Sequence, residues 1–215
     1  MKRAQSGFGL LEMTLALAIG LMLLAAASQL FISAYQSWQL QSAATRLQND
    51  ARLALLRMAQ DIRMAGMFGC LRPAPGDFKD LTARQAFAEP LQAGPSSLSL
   101  VVAELPGYTG PPDWTLHTDC VSDVQVLRQR DQGPGYALAF PISRHRYHLQ
   151  GTSLVFTRRN SSQRLVDHVR EMRVEQVETP GGQRVDVQLT VADPALNLHQ
   201  RYALSVALRN PLALP

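Results

Sequence analysis

From Met13 to Thr45 the chain carries no charged side chain, and Phe8 through Ala27 is an almost continuous run of Leu, Ala, Ile, Met and Gly. A helix rises about 1.5 Å per residue, so roughly 20 such residues cross the hydrocarbon core of a bilayer. Lys2 and Arg3 precede the run and Glu12 stands alone inside it. A secretory signal peptide has an apolar core of about 7–15 residues followed by a small-residue cleavage site. Here the small residue, Gly7, comes before the apolar run. Cleavage at Gly7 would remove the basic leader and keep the membrane helix.

Glu12 narrows the reading. A carboxylate at the centre of a membrane helix costs about 2.5–3.5 kcal/mol on insertion scales, so it calls for a partner and a role. Cutting after Gly7 would leave a free amine on Phe8, one helical turn before Glu12. The plainer reading places Glu12 at the membrane interface, close to water.

The segment Gly7-Phe8-Gly9-Leu10-Leu11-Glu12 resembles the N-terminus of type IV prepilins and of type II secretion pseudopilins. The resemblance implies a prepilin peptidase that cuts between Gly7 and Phe8 and methylates the Phe8 amine. It implies an assembly role for Glu12, the fifth residue of the mature chain. Gly9 departs from the pattern, in which Thr or Ser is common. Two further stretches, Arg63 to Cys70 and Leu165 to Val174, together with the closing Arg209-Asn210, look like the corresponding parts of PilW-type minor pilins. The J-type pseudopilin of type II secretion has a related layout and competes with that reading. A single-pass membrane-anchored periplasmic enzyme or sensor is the alternative from another class, and it needs no cleavage at Gly7.

The 215 residues suit one membrane-proximal helix and one globular domain. The formal charge of +4 falls to +2 once Lys2 and Arg3 are removed, too little to argue for nucleic acid as a main partner. The pairs Arg128/Arg130, Arg144/Arg146 and Arg158-Arg159 read as solvated strand faces. The positive-inside rule puts the N-terminus in the cytoplasm and the rest outside it, and the resemblance implies that the membrane is the inner membrane and the outside the periplasm. Cys70 and Cys120, the two cysteines, then lie in an oxidising compartment, and an even count suggests one disulfide. A zinc site would need more ligands than His117 adds.

Helical patterning continues past the anchor. No Pro or Gly occurs from Gln29 to Ala65, and Leu47, Ala51, Ala54, Leu55, Met58, Ile62 and Ala65 recur at spacings of three and four. The pattern predicts one helix from about Leu10 to Ala65, on the order of 80 Å long, stopped by Gly66 and Gly69. Between Pro73 and Pro112 the frequent Pro and Gly predict loops with short strands. Alternation predicts strands at Leu98–Val102 and from Val124, and a hairpin turning at Gln150-Gly151-Thr152. It also predicts two half-buried strands, over Val185–Val191 and Tyr202–Leu208. Arg164 to Val177 reads as a short helix leading into a strand from Met172.

The expected fold is α+β and pilin-like, a long N-terminal helix packed on an antiparallel β-sheet head. Residues 1–7 form a basic leader, 8–28 the transmembrane and assembly half of the helix, 29–66 its periplasmic half, and 67–215 the β-rich head. No catalytic, metal or cofactor site is expected. His145 and His148, three apart on a strand, point to opposite faces. His117, His168 and His199 are scattered, and no Gly-x-Ser-x-Gly, phosphate-loop or His-Glu-x-x-His pattern occurs. Expected partners are other minor and major pilins, the prepilin peptidase and the inner-membrane assembly platform. The expected destination is the cell-surface pilus, at or near its tip.

Overall fold

A computed structural model describes residues 9–129, 135–180 and 182–210. Its first element, α1 (Leu10–Met64), is one uninterrupted helix. The chain divides into two compact units, residues 1–45 and 46–215.

In the first unit the helix turns almost entirely apolar side chains outward. Leu11 is 83% exposed and Phe31 73%. Three of its hydroxyls satisfy themselves on the helix backbone. The hydroxyls of Thr14, Ser28 and Thr45 donate to the carbonyls of Leu11, Leu24 and Gln41 at 2.8–2.9 Å. Back-bonding of this kind removes the cost of a bare hydroxyl in an apolar surrounding.

In the second unit α1 ends, and a 3-10 turn (Pro75–Asp77) and a short helix α2 (Leu81–Ala88) follow. The strands are β1 (Leu91–Gly94), β2 (Ser97–Ala103), β3 (Trp114–Thr118), β4 (Val124–Arg128) and β5 (Leu138–Gln150). They continue with β6 (Ser153–Arg158), β7 (Ser161–Val166), β8 (Val169–Thr179), β9 (Gly182–Asp193) and β10 (Leu198–Ala207). Among the described residues they form two antiparallel sheets rather than one. A seven-stranded sheet has the order β1-β2-β5-β3-β4, with β6 on β5 and β7 on β6; the other sheet is β10-β9-β8. The arrangement is α+β and pilin-like.

β5 is the hub of the large sheet. Its first residues pair with β3, from Leu138–Thr118 to Ile142–Trp114. The later ones pair with β6, from His145–Arg158 to Gln150–Ser153. β2 runs along its other edge. The β5–β6 hairpin turns on Gly151 and Thr152, with Gly151 at φ 62°, the left-handed geometry such two-residue loops require.

The apolar stripe of α1 meets both sheets. Leu47, Ala51, Met58 and Ile62 share one core with Leu98, Leu100 and Tyr147 from the large sheet and with Val185, Val187 and Leu189 from the small one. β9 alternates cleanly between this core and water. β2 does not alternate, because a second core covers its other face. There Val101 joins Phe68, Ala83, Phe87, Trp114 and Leu116. A strand covered on both sides has no wet face to show.

Two expectations are corrected. Arg164 to Val177 holds no helix: β7 ends at Val166, the chain turns at Asp167 and His168, and β8 begins at Val169. His168 takes the left-handed conformation at φ 60°. Leu165, Val169 and Met172 mimic helical spacing only because that turn interrupts two strands. The Pro-rich region is likewise more than loops and strands, since α2 lies within it. Asp80 caps α2, its carboxylate accepting from the Thr82 amide at 2.9 Å and from the Thr82 hydroxyl at 2.6 Å. Ala83, Ala86 and Phe87, at spacings of three and four, are its buried face.

Candidate functional site

Gly7 and Phe8, the expected cleavage site and methylation site, lie outside the described residues. The helix starts immediately afterwards. The amides of Glu12 and Met13 donate to the carbonyl of Gly9 at 3.0 and 3.2 Å. Glu12 is thus exposed in the first turn. Its carboxylate sits at the end of the helix where unpaired amides give a partial positive charge, a favourable place for an anion. Along α1 the next charged residue is Arg46.

This helix is long and apolar enough to cross a membrane by length and composition, and its most apolar window is wholly unburied. An apolar surface of that extent needs lipid or other chains around it. Just past the run, Tyr35 and Trp38 sit one turn apart with ring centroids at 5.9 Å. Paired amphipathic rings at that level suit a membrane–water interface.

The far end of α1 is anchored by several independent contacts. Gly66 and Gly69 have φ of 73° and 116° and break the helical path. At Gly69 a Cβ would come within 2.9 Å of the Phe140 ring, so the position tolerates no side chain. The Asn210 side chain donates to the Ala65 carbonyl at 3.0 Å and weakly to that of Arg63 at 3.4 Å. Asn210 therefore satisfies carbonyls that the end of a helix leaves without partners. Cys70 and Cys120 form a disulfide, with Cα atoms 5.4 Å apart. It fastens the segment after the helix to the β3–β4 loop. That loop is itself ordered by Asp119, which accepts from the amides of Val121, Ser122 and Asp123 at 2.9–3.0 Å. Those amide bonds, led by the one from Asp123, hold the Asp119 carboxyl below the usual carboxylate range.

A buried polar junction joins the lower half of α1 to β5. Asp61 and His145 are both buried, and Asp61 Oδ2 lies 2.7 Å from His145 Nδ1. The Tyr147 hydroxyl donates to the same oxygen at 2.6 Å. Burial first, and the negative charge of Asp61 next, push the Tyr147 hydroxyl far above its ordinary pKa. Beside the junction, Arg57 lies over the Phe156 ring at 4.0 Å and donates to Gln163 at 3.0 Å. Arg158, expected on a solvated face, is buried and paired with the buried Glu104.

The sequence contained a signal for this junction. Asp61 falls three residues after Met58 and four before Ala65, on the apolar stripe rather than beside it. An acid there calls for a buried partner. His145 and Tyr147, two apart on one strand, share the face that supplies it. His148 is on the other face of the strand, as the spacing predicts. His117 lies beside Tyr136, with ring centroids at 6.2 Å. Among the described residues, no group of three or more His, Cys, Asp or Glu is placed to hold a metal ion.

Residues 2–28 match the family model described as the prokaryotic N-terminal methylation motif. The chain therefore begins with a type IV prepilin-like leader, which supports a pilin-like or pseudopilin protein anchored through one N-terminal helix. Such a leader implies the prepilin peptidase and, in general terms, pilus or secretion machinery. Neither a curated protein nor a solved structure matches the chain.

Proposed function

We propose that this chain is a minor pilin of the PilW type, a structural protein that helps to prime type IV pilus assembly and is incorporated at or near the tip. The observation that carries the proposal is the methylation motif over residues 2–28 borne on a helix whose apolar half is entirely unburied. In a prepilin that helix first anchors the protein in the inner membrane, with the head in the periplasm, and then exchanges lipid for neighbouring helices in the fibre. Cleavage between Gly7 and Phe8 frees the amine that Glu12 pairs with, in its own chain or a neighbour's. Attraction between the two charges is strong in an apolar surrounding.

The head favours a minor over a major subunit. A major pilin packs around copies of itself along the whole filament, where a bulky head is costly. Here residues 71–112 add a 3-10 turn, α2 and two strands, and they supply Ala83, Ala86, Phe87, Val101 and Ala103 to the second core. Bulk of that kind is easiest to place where subunits are few or where nothing is stacked above. The partners are other minor pilins, the major pilin, the prepilin peptidase and the assembly platform. No catalysis and no cofactor are proposed.

Quantitative mass spectrometry of sheared pili tests the reading. The chain should be present at a small fraction of the main subunit, and a deletion strain should lose surface pili. Abundance equal to the main subunit would overturn the minor role. Loss of protein secretion with intact pili would assign the chain to the J-type pseudopilins instead.

A further inference from the structure

Among the described residues, two arginines of β5 have no counter-ion, although their neighbours do. Arg144 and Arg146, two residues apart, point out from the same face of the strand, about 7 Å apart along it. With Arg128, Arg159, Asp113 and Trp114 they line a cleft of about 380 Å³. Arg128 is 3.7 Å from Asp80, and Arg159 is 3.4 Å from Asp113. Asp113 is occupied further, since its other oxygen accepts from the Arg144 amide at 2.9 Å. Glu89 borders a neighbouring depression together with Arg144, and its carboxylate accepts instead from Gln92. Among the described residues, neither Arg144 nor Arg146 makes an ion pair. Arg144 is held over the Trp114 ring, 5.8 Å from its centroid.

Like charges gathered in one concavity repel each other, and an anion bound between them relieves the repulsion. Guanidinium groups present a fixed fork of donors that matches the oxygens of phosphate or sulfate, so they are suited to recognise such groups and not merely attract them. The geometry points to a binding site for a compact ligand carrying two or more oxyanion charges, phosphate or sulfate, held by Arg144 and Arg146 and flanked by Arg128 and Arg159. A nucleic-acid strand fits less well. Base stacking needs an open aromatic face, and Trp114 is only 6% exposed. The site does not depend on the assembly role proposed above.

The test uses the full chain in neutral detergent micelles, with inorganic tripolyphosphate as the probe and calorimetry as the readout. The double variant Arg144→Glu/Arg146→Glu should weaken binding by at least about tenfold. Arg170→Glu/Arg201→Glu, an equal change of charge at exposed positions of β8 and β10, should alter it by less than about twofold. All the substituted side chains are exposed, and circular dichroism should give unchanged melting for each variant. If Arg170→Glu/Arg201→Glu weakens binding as much, or if tripolyphosphate does not bind, the site is refuted. A single-stranded DNA of about twelve nucleotides separates the sources of phosphate. DNA binding that needs Arg144 and Arg146 while tripolyphosphate fails to bind would overturn the compact ligand in favour of nucleic acid.

Discussion

Truncating Asp61 to Ala would leave His145 Nδ1 and the Tyr147 hydroxyl buried without their shared acceptor. Stranding two buried partners of a carboxylate costs more than the bonds themselves contributed, about 3 kcal/mol in this setting. Asp61→Asn keeps an oxygen at the site and should cost less than half of that. Urea denaturation followed by Tyr fluorescence distinguishes the two, and equal midpoints for wild type and Asp61→Ala would remove the junction from the stability of the head. Tyr147 adds a dependence on pH. Its hydroxyl titrates far higher in the folded chain than in the unfolded one, where it loses its proton near pH 10. The stabilisation is therefore complete below about pH 10 and is lost as pH rises through the folded value. Tyr147→Phe should flatten the loss of stability above about pH 10, while Tyr108 and Tyr202, whose pKa values are also raised by burial, titrate in both proteins alike.

At the scale of elements, the helix end is the point on which the head is assembled. Asn210 from the end of the chain, the disulfide from the β3–β4 loop, and β2, whose Val101 carbonyl accepts from the Gly66 amide at 3.3 Å, all converge there. The Cys70–Cys120 bridge closes a separation of 50 residues. On the chain-entropy account that is worth roughly 4 kcal/mol. Cys120→Ser should thus make the head sensitive to limited proteolysis, with early cuts in the β3–β4 loop, and should lower its abundance. Protease resistance equal to that of wild type would mean that the cores alone hold this end together. The Pro- and Gly-rich stretch shows where reading by elements falls short. Its flanking prolines dominate the local signal, whereas Asp80-Leu81-Thr82 and the buried Ala83, Ala86 and Phe87 make a helix that only the second core stabilises. A helix of eight residues has too few internal bonds to stand alone.

For the whole molecule, the two units set opposite demands. The first is apolar and unburied, so a chain that begins near Gln29 should be soluble where the full chain needs detergent or membrane. Aggregation of that truncated chain would mean that residues 29–45 still require a partner. Glu12→Ala should be made, inserted and cleaved as well as wild type, because replacing a carboxylate by a methyl group favours the membrane. Its recruitment into the fibre should fall, read by immunoblot of sheared surface material. Unchanged recruitment would reduce Glu12 to an interface residue.

Period and charge were enough to find α1, because a charge-free run and a three–four stripe each have one stable solution, one in lipid and one against a core. They were enough for β9 and β10, since a strand wet on one face must alternate. For β2 the alternation places the strand but not the second core on its other face, and over Arg164 to Val177 spacing misleads, because a turn at His168 puts two strands in different sheets. Neither the splitting of the strands into two sheets nor the meeting of Asp61 with His145, 84 residues away, is written in local spacing. Those depend on which segments lie side by side, and strand order is decided by competition among all the apolar faces for the same helix. The pairing of Arg158 with Glu104, and the lack of a counter-ion among the described residues at Arg144 and Arg146, were settled in the same way. A charge in the sequence acquires its neighbours only when the chain closes around it.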